Sequence, residues 1–324
     1  MSQFLWTQKQ DIGPGARSYA AMAFDSTQGR VVLLGGLAGS PMNDTWEWDG
    51  QNWTQFADTG PSARSEHAMA YDINRKCVVL FGGLGLSGTT NTYLHDTWEW
   101  DGKEWTQIED TGPSARSGMA MCFDSKRKLV LLFGGGNATA QLNDTWVWDG
   151  VSWTQEQDTG PPARTKHGMD YDSTRDRTVL FGGMGVTTKV SQVWVSDNNW
   201  WSPNSGHWQN QTVATSQFFN DTWEYDGSVW TRVEDTGPAP RHSFGLAYDG
   251  KVVLLFGGRD GTNAFRDTWQ WNGSHWTQRQ DMGPAARSAA GTAYDSKRGR
   301  MVVFGGAGAA GAAFGDTWEA FDRP

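Results

Sequence analysis

The chain has 324 residues and a net charge of −9 at neutral pH, with 41 Gly and 20 Trp. Because nucleic-acid binding depends on clustered Lys and Arg, this acidic balance without a basic run argues against a nucleic-acid partner. A mean hydropathy of −0.60 without a long apolar run argues against a membrane span. The abundance of Gly and Trp favours tight turns and aromatic packing over helices.

Cys77 and Cys122 are the two cysteines, and each lies in a strand-like run. We therefore expect buried free thiols rather than a disulfide scaffold. The N-terminus, Met-Ser-Gln-Phe-Leu-Trp, lacks the charged and apolar regions of a signal peptide. A complete chain is thus expected to be cytoplasmic, whereas removal of a leader would leave the compartment unknown. We expect a monomer without metal or cofactor.

One block of sequence recurs six times, and such a repeat decides the fold before any local pattern does. Each copy has an apolar run ending in a Gly-Gly pair, and these pairs begin at Gly35, Gly82, Gly134, Gly182, Gly257 and Gly305. In the second copy, β-branched and aromatic residues bounded by turn residues predict four short strands. These predicted strands cover residues 68–71, 78–81, 97–100 and 105–108.

Turn residues and chain ends indicate how the strands connect. Asp-Gly pairs follow the third predicted strand at Asp49, Asp101, Asp149 and Asp226. Because this dipeptide tolerates the positive φ angles of a type I′ turn, the third and fourth strands should form a hairpin. The chain begins with an isolated fourth strand at Trp6, and the last copy ends after its third strand, near Trp318. We predict that the N-terminal strand completes the last sheet and closes a ring.

A double glycine followed by two Trp residues, spaced like Trp46 and Trp53 or Trp98 and Trp105, resembles the kelch repeat. The resemblance covers essentially the whole chain. It implies an all-β, six-bladed kelch-type β-propeller of four-stranded antiparallel blades, with residues 1–324 forming one domain. It also implies that each first strand lines a central channel, and that the loops between second and third strands share one face with the loops between blades.

An arginine precedes every first strand, and the six are Arg17, Arg64, Arg116, Arg164, Arg241 and Arg287. They should circle one mouth of the channel, where guanidinium groups can grip carboxylate or phosphate in bidentate fashion. In several kelch proteins the equivalent arginines contact acidic ligands, so the resemblance adds to this interpretation. The alternative is that an arginine present in every copy ties neighbouring loops together through backbone carbonyls.

The positions after each arginine differ between copies and carry titratable groups. They place Tyr19 in the first copy, Glu66 and His67 in the second, and Lys166 and His167 in the fourth, while His242 directly follows Arg241. If the protein is an enzyme, Glu66, His67, Lys166 and His167 are the candidates for proton transfer. The alternative is that such histidines are packing residues. Asp170 also stands out, because it replaces an Ala-like residue in a first strand.

The fourth copy contains an insertion, residues 184–220, that replaces a short connection on the loop face. It holds the four Trp residues outside the repeat, which are Trp194, Trp200, Trp201 and Trp208. Such long loops are often functional, and Trp among polar amides suits sugars, peptides and ligand rings. We therefore predict that Trp200 and Trp201 contact a ligand or cover its site, or alternatively that the insertion packs onto blade four.

The sequence is compatible with two functions. The first is a binding protein whose loop face and channel mouth hold an acidic small molecule, a glycan or a peptide. The second is a metal-free enzyme of the epimerase, lyase or cyclase type, acting on a small acidic or aromatic substrate. A closed pocket with convergent Arg, His and Glu would favour the enzyme, whereas an open rim would favour the binding protein.

Overall fold

The structure, a computed structural model, describes residues 3–9, 12–57, 59–109, 111–157, 159–196, 206–234, 236–280 and 282–323. No helix occurs among these residues, and hence none that is long and apolar enough to span a membrane. Six four-stranded antiparallel sheets lie within the described ranges. Their inner strands contact one another in a closed cycle, which confirms the predicted six-bladed β-propeller.

The four strands of each blade follow one another from the axis of the ring outward. From inner to outer strand, blade one is β2 (Ala21–Asp25), β3 (Arg30–Ala38), β4 (Ser40–Trp48) and β5 (Trp53–Ala57); blade two is β6 (Ala68–Asp72), β7 (Cys77–Ser87), β8 (Thr90–Trp100) and β9 (Trp105–Glu109); blade three is β10 (Ala120–Asp124), β11 (Leu129–Phe133), β12 (Thr145–Trp148) and β13 (Trp153–Gln157). Blade four is β14 (Gly168–Asp172), β15 (Arg177–Phe181), β18 (Thr222–Tyr225) and β19 (Trp230–Glu234); blade five is β20 (Gly245–Tyr248), β21 (Val253–Phe256), β22 (Thr268–Trp271) and β23 (Trp276–Gln280); blade six is β24 (Gly291–Asp295), β25 (Arg300–Phe304), β26 (Thr317–Arg323) and β1 (Gln3–Gln8).

The N-terminal strand closes the ring as predicted. β1 pairs antiparallel with β26, with Trp6 opposite Ala320, so the first and last segments of the chain share blade six. Phe4 is buried, and the indole N–H of Trp6 donates a 3.1 Å hydrogen bond to the hydroxyl of Thr268 in blade five. This strand therefore ties blade six to its neighbour as well as completing it.

Trp6→Ala is expected to lower the free energy of unfolding by about 2 kcal/mol. Replacing a fully buried Trp with Ala costs about 3–5 kcal/mol, and Trp6 is only half-buried. Urea denaturation measures this change. Val151→Ala, at a side chain that is 77% exposed, is the control and should leave the midpoint unchanged. An unchanged midpoint for Trp6→Ala would mean that the ring does not depend on this contact.

The repeated Asp-Thr-Trp motif joins each blade to the next, because in every copy its Thr hydroxyl accepts a hydrogen bond from a Trp of the following blade. The hydroxyl of Thr45 in blade one accepts a 2.8 Å hydrogen bond from the indole N–H of Trp105 in blade two. The carboxylate of Glu47 accepts a 3.2 Å bond from the indole N–H of Trp100, also in blade two. The repeat Trp residues thus bury large apolar surfaces between blades while their N–H groups remain satisfied.

The insertion in blade four forms a long β-ribbon, although no strands were predicted there. β16 (Met184–Ser196) and β17 (Gly206–Phe218) pair along their whole length as a separate two-stranded sheet, which we call the arm. Its Val, Thr and Trp residues favour strands, and most of its side chains are exposed. β7 and β8 also extend beyond their predicted ends, through a tip at residues 83–94. We call the side of the ring that carries the arm and this tip the hairpin face.

Candidate binding site on the hairpin face

The six repeated arginines are almost wholly buried, with 0–1% of each side chain exposed. Each guanidinium donates two hydrogen bonds to one carboxylate, in the pairs Arg17–Asp44, Arg64–Asp96, Arg116–Asp144, Arg164–Asp221, Arg241–Asp267 and Arg287–Asp316. Arg64 also donates to the carbonyls of Gly82 and Ser62 and to the Ser62 hydroxyl. All five of its N–H groups therefore have acceptors within the fold.

These pairs neutralise the positive charge that was expected to attract an acidic ligand. Burial works to raise the pKa of Asp96, but the hydrogen bonds and charge of Arg64 outweigh it and hold the pKa below its ordinary value. Both partners are thus charged at neutral pH. Contact between these arginines and a ligand stays a prediction, and the geometry favours the structural interpretation because at least four of the five N–H groups of each arginine already donate within the fold.

The residues two positions after the arginines form a closed ring of backbone hydrogen bonds, which we call the mouth ring. Each backbone N–H donates to the carbonyl of the corresponding residue in the preceding blade, at 2.6–3.1 Å. All six residues have positive φ angles of 53–66°. The members are Tyr19, Glu66, Gly118, Lys166, Ser243 and Ala289. Since positive φ is costly for most residues, the ring holds these side chains in one fixed orientation.

Three members of the mouth ring close over its opening. The ammonium nitrogen of Lys166 lies 2.8 Å from a carboxylate oxygen of Glu66 and 4.7 Å from the ring centroid of Tyr19. Gly118 lies between them, and a Cβ added there would come within 3.3 Å of the Lys166 stem. Burial works to lower the pKa of Lys166, but Glu66 and Tyr19 outweigh it and raise the pKa. The ion pair is therefore charged and internally compensated.

The two predicted histidines lie directly below the mouth ring. A cavity of about 150 Å³ there is lined by Tyr19, Glu66, His67, Lys166 and His167, so the structure brings these five predicted residues together. Burial, together with the nearby Arg64 charge, lowers the pKa of His67 to about 3. Burial and Arg164 lower that of His167 to about 3 as well. Both imidazoles are therefore neutral at physiological pH.

The remaining predicted residues lie elsewhere. His242 stacks on Phe218 at the base of the arm, with ring centroids 5.4 Å apart, and its Nδ1 lies 2.9 Å from the hydroxyl of Ser243. Burial and the charges of Lys166 and Arg259 lower the pKa of His242 to about 4. Trp200 and Trp201 fall outside the described residues. Trp194 and Trp208, in contrast, form an exposed cross-strand pair near the far end of the arm.

A cleft of about 530 Å³ runs outward from the mouth ring across blade three. Its floor is the short connection between β11 and β12, which contributes Asn137 and Gln141. One wall is the tip of β7 and β8, with Tyr93, and the other is the start of the arm, with Val186. The cleft exists because blade three has a short connection between two blades with long ones.

The cleft has no excess charge. Glu66 and Lys166 form its inner end, and among the described residues they are the only charged side chains that line it. The remaining lining side chains are neutral, and hydroxyl, amide and phenol groups alternate with small apolar ones. The side chain of Asn137 is held in place because its amide oxygen, Oδ1, accepts hydrogen bonds from Thr139 and Ala140. This chemistry suits a neutral polar chain better than an acidic one.

The cleft residues Tyr93, Asn137, Gln141 and Val186 were not singled out from the sequence. The available signal was the unequal length of the connections between second and third strands, which are long in copies two and four and short in copy three. Only the longest connection, the insertion, was interpreted as a functional feature. The groove that a short connection leaves beside a long one was not predicted.

A second cavity, of about 470 Å³, lies on the axis of the ring and is lined by the inner strands of all six blades. We call it the axial cavity. Most of its lining side chains are Ala, Met, Phe or Tyr, and Asp170 is its one carboxylate among the described residues. Within those residues there is also no group of three or more His, Cys, Asp or Glu side chains placed to hold a metal ion.

The fold and site define a six-bladed β-propeller with a neutral cleft on its hairpin face. Comparison of the sequence with models of known protein families gave no match, and a search of curated proteins also gave none.

Proposed function

We propose that this chain is a kelch-type propeller that binds a neutral peptide segment, in extended conformation, within the cleft. The repeated Gly-Gly and paired Trp residues support the family assignment. One observation carries the peptide assignment: an unpaired strand edge of the arm begins at the cleft, where Met184 and Val186 line it, and continues outward from it. Peptides commonly bind by adding a strand to such an edge, with backbone hydrogen bonds providing affinity and side-chain pockets providing specificity.

The direction of the free edge follows from the hydrogen bonds at its start. The backbone N–H and C=O of Met184 bond to Thr165, each at 2.9 Å, and therefore point away from β17. Because both groups of a residue in an antiparallel pair point to the same side and alternate along the strand, those of Val186, Thr188 and Val190 point the same way. Thr165 lines the cleft, so this edge of β16 faces it.

The edge lacks the usual protection against pairing. Natural edge strands carry charges, prolines or bulges that discourage added strands. β16 contains one charged residue, Lys189, no proline and no register shift against β17. Within the described residues, no other strand pairs with this edge. Val186 and Val190, each more than half exposed, would provide apolar contacts to alternate side chains of an added peptide.

The test is selection from a phage-displayed library of 12-residue peptides, followed by affinity measurements on the selected peptides with three proteins. Thr188→Pro removes an N–H group from the cleft-facing edge without removing a bond to β17. Ala214→Pro is the matched control, because Ala214 lies directly opposite Thr188 and its N–H points away from the cleft. We expect Thr188→Pro to weaken binding at least tenfold and Ala214→Pro to leave it unchanged.

Two results would contradict the proposal. The first is equal binding by the wild type and Thr188→Pro, or an equal loss in Ala214→Pro. The second is that no peptide is selected, whereas an array of neutral glycans gives ligands whose binding needs Tyr93 and Asn137. A glycan does not pair with a strand edge, so that result would indicate a different ligand class. The enzyme alternative is not favoured by any specific observation, since Glu66 and Lys166 neutralise each other and His67 and His167 are neutral, buried groups.

A further inference from the structure

Asp170 is the exception in a position that the other blades fill with small neutral residues. The equivalent residues of the other five inner strands are Ala23, Ala70, Cys122, Ala247 and Ala293. Packing between blades therefore needs only a small side chain there. A carboxylate at this place costs desolvation energy without a packing advantage, so its presence calls for a partner.

The carboxylate of Asp170 is held at the wall of the axial cavity. One oxygen accepts a 2.8 Å hydrogen bond from the backbone N–H of Tyr171, and the other accepts a 2.7 Å bond from that of Tyr248 in blade five. These two N–H groups lie on the free inner edges of β14 and β20, so the carboxylate faces the axis. Each oxygen retains a lone pair that neither backbone group uses.

No counter-charge is built into the cavity. Its described lining contains no Lys or Arg side chain. The groups that face Asp170 are the Cys122 thiol from β10, the Tyr248 backbone from β20 and, along its own strand, the like-charged Asp172. Burial raises the pKa of Asp170 to about 6 despite the two N–H donors, and Asp172 adds to this shift. The free carboxylate thus lacks the partner that most buried charges have.

We propose that the axial cavity binds a small organic ammonium ion, with its N–H groups on Asp170 and its apolar body against the surrounding side chains. A primary ammonium has three N–H donors. One goes to Asp170, and the backbone carbonyls of Tyr171 and Tyr248, which point to the same side as their N–H groups, accept the others. Phe24, Phe123 and Tyr294 add aromatic surface that attracts a cation.

The size and lining of the cavity favour an organic ammonium over a metal ion. A bare metal ion needs several oxygen ligands at close range, whereas Asp170 already uses part of each oxygen for a backbone N–H. A volume of about 470 Å³ with Ala, Met and aromatic walls instead fits an apolar substituent. This site is separate from the cleft and does not depend on the function proposed for it.

The test uses n-butylammonium as the probe and 1-butanol as its neutral counterpart, each titrated into the protein at pH 8 and followed by protein NMR shifts. We expect the wild type to bind n-butylammonium at least tenfold more tightly than 1-butanol. Asp170→Asn and Asp170→Ala should remove that preference. Asp170→Ala restores the residue of four other blades, so its folding is secure. Cys122→Ala, which makes the same restoration without a charge change, is the matched control and should bind like the wild type.

A pH series distinguishes binding to an ionised carboxylate from binding to a cavity wall that is merely polar. The ammonium needs the ionised form of Asp170, so lowering the pH from 8 to 5, with folding checked by circular dichroism, should weaken binding about tenfold. Equal binding of n-butylammonium and 1-butanol, or unchanged binding in Asp170→Ala, would overturn the proposal. Stronger competition by Na⁺ or Ca²⁺ than by a second amine would also overturn it, because it would indicate a metal site.

Discussion

Arg64→Ala is expected to lower the free energy of unfolding by about 3–5 kcal/mol, the usual cost of removing one partner from a buried ion pair. The substitution leaves the Asp96 carboxylate without the two hydrogen bonds that hold its charge, and it leaves the Gly82 carbonyl without a donor. Denaturation in guanidinium chloride measures the loss. Arg30→Ala is the control, since Arg30 pairs with Asp49 at the exposed surface, where such pairs contribute about 0–1 kcal/mol.

A second variant shows whether the lost stability arises from the Asp96 carboxylate that Arg64→Ala leaves without its arginine. Arg64→Met combined with Asp96→Asn removes both charges and keeps an acceptor for the indole N–H of Trp98, which bonds to Asp96 at 2.7 Å. The double variant should recover a substantial part of the stability lost in Arg64→Ala. If Arg64→Ala instead unfolds like the wild type and only ligand binding is lost, the arginines are ligand contacts and not structural residues.

The fold was predictable because six similar copies each carry their own evidence. The isolated strand at Trp6 and the missing strand after Trp318 determined the closure of the ring, and pairing of β1 with β26 confirms it. The pairing of each repeated arginine with an aspartate was harder to predict. An Asp precedes every Thr-Trp just as an Arg precedes every first strand, but only the folded chain shows that these residues meet within each copy.

The candidate site was only partly predictable, for a different reason. Glu66 and Lys166 were singled out because they differ between copies, and the structure places them in contact. The cleft depends on the relative heights of three neighbouring connections, and the free edge of β16 depends on which side of the arm faces blade three. Neither property belongs to a single copy, so comparing the copies with one another did not find it.

His67 and His167 should make the protein unusually sensitive to mild acid. Their pKa values of about 3 in the folded state lie below the ordinary value of 6.5, because burial and the neighbouring arginines oppose a charged imidazole. The unfolded chain therefore takes up protons first as the pH falls. The stability that these neutral histidines contribute is complete above pH 6.5 and is lost progressively as the pH falls toward 3.

Other groups act in the same range or below it. Burial and the charges of Lys166 and Arg259 lower the pKa of His242 to about 4, so His242 adds a smaller loss of the same sign. Asp170 has the opposite sign, since its folded pKa of about 6 exceeds its ordinary value of 3.8. Its protonation stabilises the folded state between pH 6 and 3.8 and offsets part of the histidine effect. Five carboxylates paired with the arginines have lowered pKa values and lose their contribution only below pH 3.8, namely Asp44, Asp96, Asp144, Asp221 and Asp316. The histidines should therefore dominate the net loss above pH 4.

The two histidines together should cost about 5 kcal/mol at pH 4.5 relative to pH 7, because each loses about 1.4 kcal/mol per pH unit below 6.5. His67→Met with His167→Met tests this, since Met119 occupies the same position in blade three and shows that the site accepts Met. Urea denaturation from pH 7 to 4.5 should show a much smaller fall in stability for this variant than for the wild type. His275→Met, at an exposed turn, should keep the wild-type profile. The same acid sensitivity in the double variant would mean that other groups drive it and that the two imidazoles have nearly equal pKa values in the folded and unfolded chain.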